Sequence, residues 1–147
     1  MESNRADELT IIAEMRAAAA DRLVTPWWYH PVLGALLGVY LVAFSLGGTV
    51  VRLVALVLFG AACAALVDVY RRSTGVWVNG LDAGPAGRWA KGLGLAVLVL
   101  MVVSGSLAYW TGLVWPVLGI AVVVFALTVV LGRRFDEALR AQLRAGA

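Results

Sequence analysis

Charge is missing from most of this chain. Gly92 to Gly132 contains no Asp, Glu, Lys or Arg, and between Pro31 and Val67 the one charged residue is Arg52. A soluble domain keeps polar and charged side chains spread over its surface, so uncharged stretches this long argue against a water-facing fold. The single cysteine, Cys63, rules out an internal disulfide. The single histidine, His30, has no second His and no Glu near it in sequence, which argues against a metal site. The motifs GxSxG, HExxH and CxxC are absent. Gly80 to Gly87 is glycine-rich, but it lacks the Gly-Lys-Ser/Thr ending of a phosphate loop. No cofactor and no catalytic residue is implied.

What remains is apolar. Of 147 residues, 62% are hydrophobic and 14% charged, with a mean hydropathy of +0.88. A bilayer crossing needs about 20 apolar residues. The stretch from Gly92 to Gly132 has room for two crossings, and the stretch before Asp68 nearly so. The expectation is an all-α integral membrane protein with four transmembrane helices arranged as two hairpins. The expected spans are 31–46, 50–70, 92–110 and 115–132, within one domain covering 25–147.

Residues 1–24 read as an amphipathic helix. Asn4 is placed to cap it, with Asp7 and Glu8 in the first turn. Leu9, Ile12, Met15, Ala19 and Leu23 recur at helical spacing, and the segment is too charged to span. No small-residue cleavage site follows a short apolar core, so the first span is expected to act as an uncleaved anchor. Thr25-Pro26 breaks the helix, and Trp27-Trp28-Tyr29 forms an aromatic belt before Pro31. Gly47-Gly48-Thr49 and Trp110-Thr111-Gly112 are the tight turns inside the hairpins. In the loop 71–91, Asn79-Gly80 with flanking Val76-Trp77-Val78 suits a short β-hairpin. The tail 133–147 is expected to continue as a helix, with Phe135, Leu139 and Leu143 on one face and an Asp136–Arg140 pair.

The positive-inside rule orients the chain. Every Lys and Arg except Arg52 lies in the N-terminal segment, the 71–91 loop or the tail. Both termini and that loop are therefore expected in the cytoplasm, with the four spans in the plasma (inner) membrane. The net charge of +3 is accounted for by orientation and anionic headgroups, so no nucleic-acid partner is implied.

Few residues carry chemistry. Gly34 and Gly38 form a GxxxG step, and Gly60 with Ala64 a small-xxx-small step. Both favour close helix packing, either within one chain or between two copies as a homodimer. Asp68 is the acid nearest membrane depth, and Arg71 and Arg72 are placed to neutralise it. Arg52 is expected to snorkel outward. His30, Asp68, Tyr70, Arg71, Arg72, Trp77 and Asn79 all belong to the cytoplasmic face and form the candidate site.

The blocks Thr25-Pro26-Trp27-Trp28-Tyr29-His30-Pro31 and Tyr70-Arg71-Arg72-Ser73-Thr74-Gly75-Val76-Trp77-Val78-Asn79-Gly80 resemble a family of small four-span actinobacterial membrane proteins. The resemblance implies an integral membrane protein and carries over no catalytic residue. Small multidrug transporters also have four short spans, but this chain lacks a Glu in its first span. The expected function is that of an interaction, regulatory or scaffold protein. It would bind a cytoplasmic protein or anionic lipid through its cytoplasmic face. The alternatives are a small oligomeric transporter or channel, and an enzyme with a site near His30 and Asp68.

Overall fold

A computed structural model describes residues 2–22, 25–75, 80 and 83–145. The described residues form five α-helices: α1 (Glu2–Arg22), α2 (Tyr29–Leu46), α3 (Thr49–Thr74), α4 (Gly87–Thr111) and α5 (Val114–Ala145). A single 3-10 turn, Gly84–Ala86, leads into α4. There is no strand among the described residues. The hairpin expected around Asn79-Gly80 lies largely outside them, as do Trp77 and Asn79.

Four of the helices, α2 to α5, are long and apolar enough to cross a bilayer. Their exposure fits that role. Val50, Val51, Leu53, Val54, Val57 and Leu58 of α3 are all exposed. A patch this large and apolar would be unstable in water but is at rest in hydrocarbon. Aromatic rings mark the ends, with Trp27 exposed before α2 and Tyr109, Trp110 and Trp115 exposed around the α4–α5 turn.

The helices run past the expected spans. α3 continues through Arg71 and Arg72, and α4 begins at Gly87, so the connection expected at 71–91 is shorter. Charge ends the apolar run, yet arginine is a good helix former and does not end the helix. What ends α3 and α4 is glycine. Gly75 and Gly112 adopt left-handed φ values of 71° and 65°, and each amide closes on a carbonyl four residues back. α5 has 32 residues, so at 1.5 Å per residue it is about 48 Å long, well beyond the ~30 Å hydrocarbon core.

The centre of the bundle is α2 against α5, running antiparallel. α4 packs on both, α3 packs on α2, and α1 packs on α5. The buried side of α2 is His30, Gly34, Gly38, Leu41 and Ser45, a single stripe at spacings of three and four. It meets Val117, Val124, Thr128 and Gly132 of α5. A Cβ on Gly34 would come within 3.1 Å of the Phe125 carbonyl oxygen, and one on Gly38 within 3.3 Å of that of Ala121. The GxxxG step thus sets the α2–α5 approach within one chain. Gly60 and Ala64 do otherwise: both are exposed, and nothing lies within 4 Å of a Cβ built on Gly60. The packing expected of them is not made inside the chain, because α3 turns that side away from α2. Gly34→Val should therefore cost about 1–3 kcal/mol through overpacking. Gly60→Val should change stability by less than about 0.5 kcal/mol. Unfolding in mixed micelles measures both.

The centre of the core is aliphatic. Leu41, Val117 and Val124 are fully buried together, flanked by Leu37, Val97, Leu100 and Ile120. Ser45 Oγ and Ser104 Oγ satisfy each other at 2.9 Å, and the Thr128 hydroxyl donates to the Val124 carbonyl. Arg52 does not simply reach outward. Its Nε donates to the Phe44 carbonyl at 2.8 Å, and its guanidinium lies over the Phe44 ring. It thereby satisfies a carbonyl at the end of α2.

Candidate functional site

One cavity stands at the charged end of the bundle, where α2 and α4 begin, α3 ends and α5 projects. Its volume is about 180 Å³. The start of α2 supplies Tyr29, His30 and Leu33, and α3 supplies Tyr70. The first turns of α4 supply Trp89, Ala90 and Leu93. From α5 come Leu131, Gly132, Phe135, Asp136, Leu139 and Arg140. Most of these side chains are aromatic or aliphatic, and the few polar groups converge on one side. That is the composition of a small-molecule site.

The polar group begins with His30. Its Nε2 lies 2.7 Å from Asp136 Oδ2, and both side chains are nearly buried, at 10% and 12% exposure. An ionised carboxylate can only accept, so Nε2–H donates. The other ring nitrogen, Nδ1, is buried without a partner because the ring is pressed against Gly132. A Cβ on Gly132 would overlap that ring, reaching 2.6 Å from Cε1. Glycine at 132 is what lets the imidazole pass between α2 and α5. The pair therefore joins the first turn of α2 to the extension of α5. It is poorly built as a general base, since the nitrogen that would take a proton faces a helix backbone.

Above the pair, the Tyr29 and Tyr70 rings pack at 5.0 Å, and Tyr70 Oη shares a hydrogen bond with Thr25 Oγ1 at 3.3 Å. Arg140 has a buried Nε without a partner. The pair expected between Asp136 and Arg140 is not formed, because His30 takes the carboxylate. Below the cavity the 3-10 turn docks on α5. The Ala86 amide donates to Gln142 Oε1 at 3.1 Å, and Ala83 and Ala86 pack on Leu139. The α1 helix is tied to the same extension by Asp21 and Arg144, 3.0 Å apart.

The expected site residues divide. His30 and Tyr70 line the cavity. Asp68 and Arg72 form an exposed i,i+4 pair at 2.9 Å, with side chains 57% and 79% exposed. Arg71 is exposed as well, so these three do not join the cavity. Trp77 and Asn79 lie outside the described residues. The acid that meets His30 is Asp136, 106 residues away in sequence. Sequence distance hid it, but its spacing did not. His30, Gly34 and Gly38 step by four along α2, as Thr128, Gly132 and Asp136 do along α5. Two such stripes packed antiparallel place His30 beside Gly132 and Asp136. Among the described residues no three His, Cys, Asp or Glu side chains gather as a metal set.

Comparison of the chain with protein-family models, with curated proteins and with solved structures gives no match.

Proposed function

We propose that this chain is a multi-pass plasma-membrane protein that acts by binding at its cytoplasmic face. Its four spans form two hairpins with both termini inside. The amphipathic helix α1 lies on the inner membrane surface, where Leu9, Ile12 and Met15, exposed in the isolated chain, meet lipid. The function is that of an interaction or regulatory protein, with a cytoplasmic protein as its macromolecular partner. Copies of the chain pair through the exposed Gly60 and Ala64 side of α3.

One observation carries the reading. The cavity and its few polar groups lie at one end of the bundle, and beyond them the centre is closed by packed side chains. Leu41 lies 11 residues beyond His30 along α2, which is about 16 Å at 1.5 Å per residue. There Leu41, Val117 and Val124 close the centre. A pore needs polar lining through the span. The polar groups seen there, Ser45, Ser104 and Thr128, are already satisfied by each other or by backbone. An enzyme using His30 with Asp68 would need the two to meet, and Asp68 points outward with Arg72.

Two experiments test this. In a Cys63→Ser background, Ser73→Cys and Thr111→Cys report sidedness. A membrane-impermeant maleimide on intact cells should label position 111 and not position 73. The reverse pattern rejects the orientation. Crosslinking in the native membrane, followed by affinity purification, should then recover a stoichiometric cytoplasmic protein. Its capture should be lost when Arg71, Arg72 and Ser73 are replaced by alanine. Recovery of the chain alone, together with solute flux in proteoliposomes, would reject binding in favour of transport.

A further inference from the structure

We infer that the cavity at the α2–α5 junction is a headgroup site for an anionic phospholipid of the inner leaflet, with Arg140 binding the phosphate. The inference deepens the proposed function and rests on its membrane orientation.

The charge argument comes first. Asp136 is the acid that lines the cavity, and His30 already occupies its Oδ2. Among the described residues Arg140 has no carboxylate in ion-pair range, and its buried Nε has no hydrogen-bond partner. A guanidinium with no carboxylate partner at the edge of a low-dielectric site calls for an anion, and its planar fork suits a phosphate. Two long helices, α2 and α4, begin at the cavity and turn their positive ends toward it. α3 brings its negative end nearby, but Arg71 and Arg72 in its last turn offset that.

Shape then selects a lipid over a free anion. The cavity is mostly apolar, with Leu33, Leu93 and Phe135 in its lining. It shares Trp89 and Leu131 with an open groove of about 450 Å³, lined also by Arg88 and Gly92. That groove lies between α4 and α5, with Arg88 and Gly92 exposed. A headgroup of a few heavy atoms fits in about 180 Å³, while the acyl region follows the groove past Gly92 and Leu131. Arg88, with its guanidinium 5.4 Å from the Trp89 ring centroid, sits at the groove's charged end. Basic pockets between spans at the cytoplasmic boundary are a recurring form of anionic-lipid site.

The test is native mass spectrometry of the full chain, extracted in mild detergent. One anionic phospholipid per chain should survive extraction. Arg140→Gln should reduce its occupancy about tenfold, the order of one charge-assisted hydrogen bond, and Arg140→Lys should retain most of it. Leu131→Trp, which fills the passage without touching charge, should also lose the lipid. Arg72→Gln, outside the cavity, should keep it. Delipidated protein should recapture phosphatidylglycerol from mixed vesicles and leave phosphatidylcholine behind. Unchanged occupancy in Arg140→Gln, or equal capture of both lipids, overturns the inference. Displacement of the lipid by equimolar glycerol phosphate overturns it too, and makes the occupant a soluble phosphate. If alkaline carbonate alone strips the chain from membranes, the membrane reading itself fails, whatever the lipid result.

Discussion

Gly132→Ala should unseat the cavity by displacing the His30 ring. The added Cβ would overlap the His30 imidazole, whose ring atoms Cε1 and Cγ lie 2.6 and 2.9 Å from that position. Neither side yields easily. His30 is held at 2.7 Å by Asp136, and Gly132 is inside a continuous 32-residue helix. Overpacking costs about 1–3 kcal/mol. If the ring leaves, the buried His30–Asp136 hydrogen bond breaks and strands a polar group, which costs about 1–3 kcal/mol as well. The expected loss is therefore about 1–3 kcal/mol by either route. This loss has a signature that mere helix destabilisation lacks. In a His30→Ala background there is no ring to displace, so Gly132→Ala should then cost less than about 1 kcal/mol, or even gain from alanine's helix propensity. A double-mutant cycle, read by unfolding in mixed micelles, measures the coupling. Additive costs would show that the ring and position 132 do not share this space.

The spans were legible because hydrocarbon admits so few solutions. A 41-residue stretch without charge has little choice but to cross, and Gly112 in its middle marks where it turns. Helix ends were less legible, since Arg71 and Arg72 close the apolar run without closing the helix. Two of the seven residues named from sequence line the cavity. His30 and Tyr70 follow from depth alone, because both sit where an apolar span meets charge. Asp136 was the harder residue. It resembles a solvated tail acid with a convenient Arg140 four residues on, and a local pair is the simplest sequence reading. Tertiary packing overrides that. The stripe that brings Gly34 and Gly38 onto α5 also turns Asp136 toward His30. Asp68 is the converse case. Its proximity to His30 in depth suggested a shared site, but α3 packs mainly on α2 and presents Asp68 to the outside.

Asp136 and Asp68 accordingly offer the sharpest comparison in the molecule. Both are aspartates near the charged end, and both pair with a base at under 3 Å. Their environments differ. The His30–Asp136 side chains are 10% and 12% exposed, whereas those of Arg72 and Asp68 are 79% and 57% exposed. An exposed pair gains little, because solvent screens it and two long side chains lose freedom, so Asp68→Ala should cost about 0–1 kcal/mol. A buried pair behaves asymmetrically. Removing one partner strands the other's polar group, so Asp136→Ala should cost about 1–3 kcal/mol. Removing both need not. His30→Leu with Asp136→Leu leaves no stranded polar group and should recover much of that loss. The two measurements separate stability from function. If His30→Leu alone folds yet loses lipid occupancy while the double variant keeps it, the pair exists to keep the Asp136 carboxylate away from Arg140, leaving that cation to an external anion. If both variants keep their occupancy, the pair is a clasp between α2 and α5, and Arg140 acts without it. Equal costs for Asp68→Ala and Asp136→Ala would remove the basis for both, since burial would then not distinguish the two carboxylates.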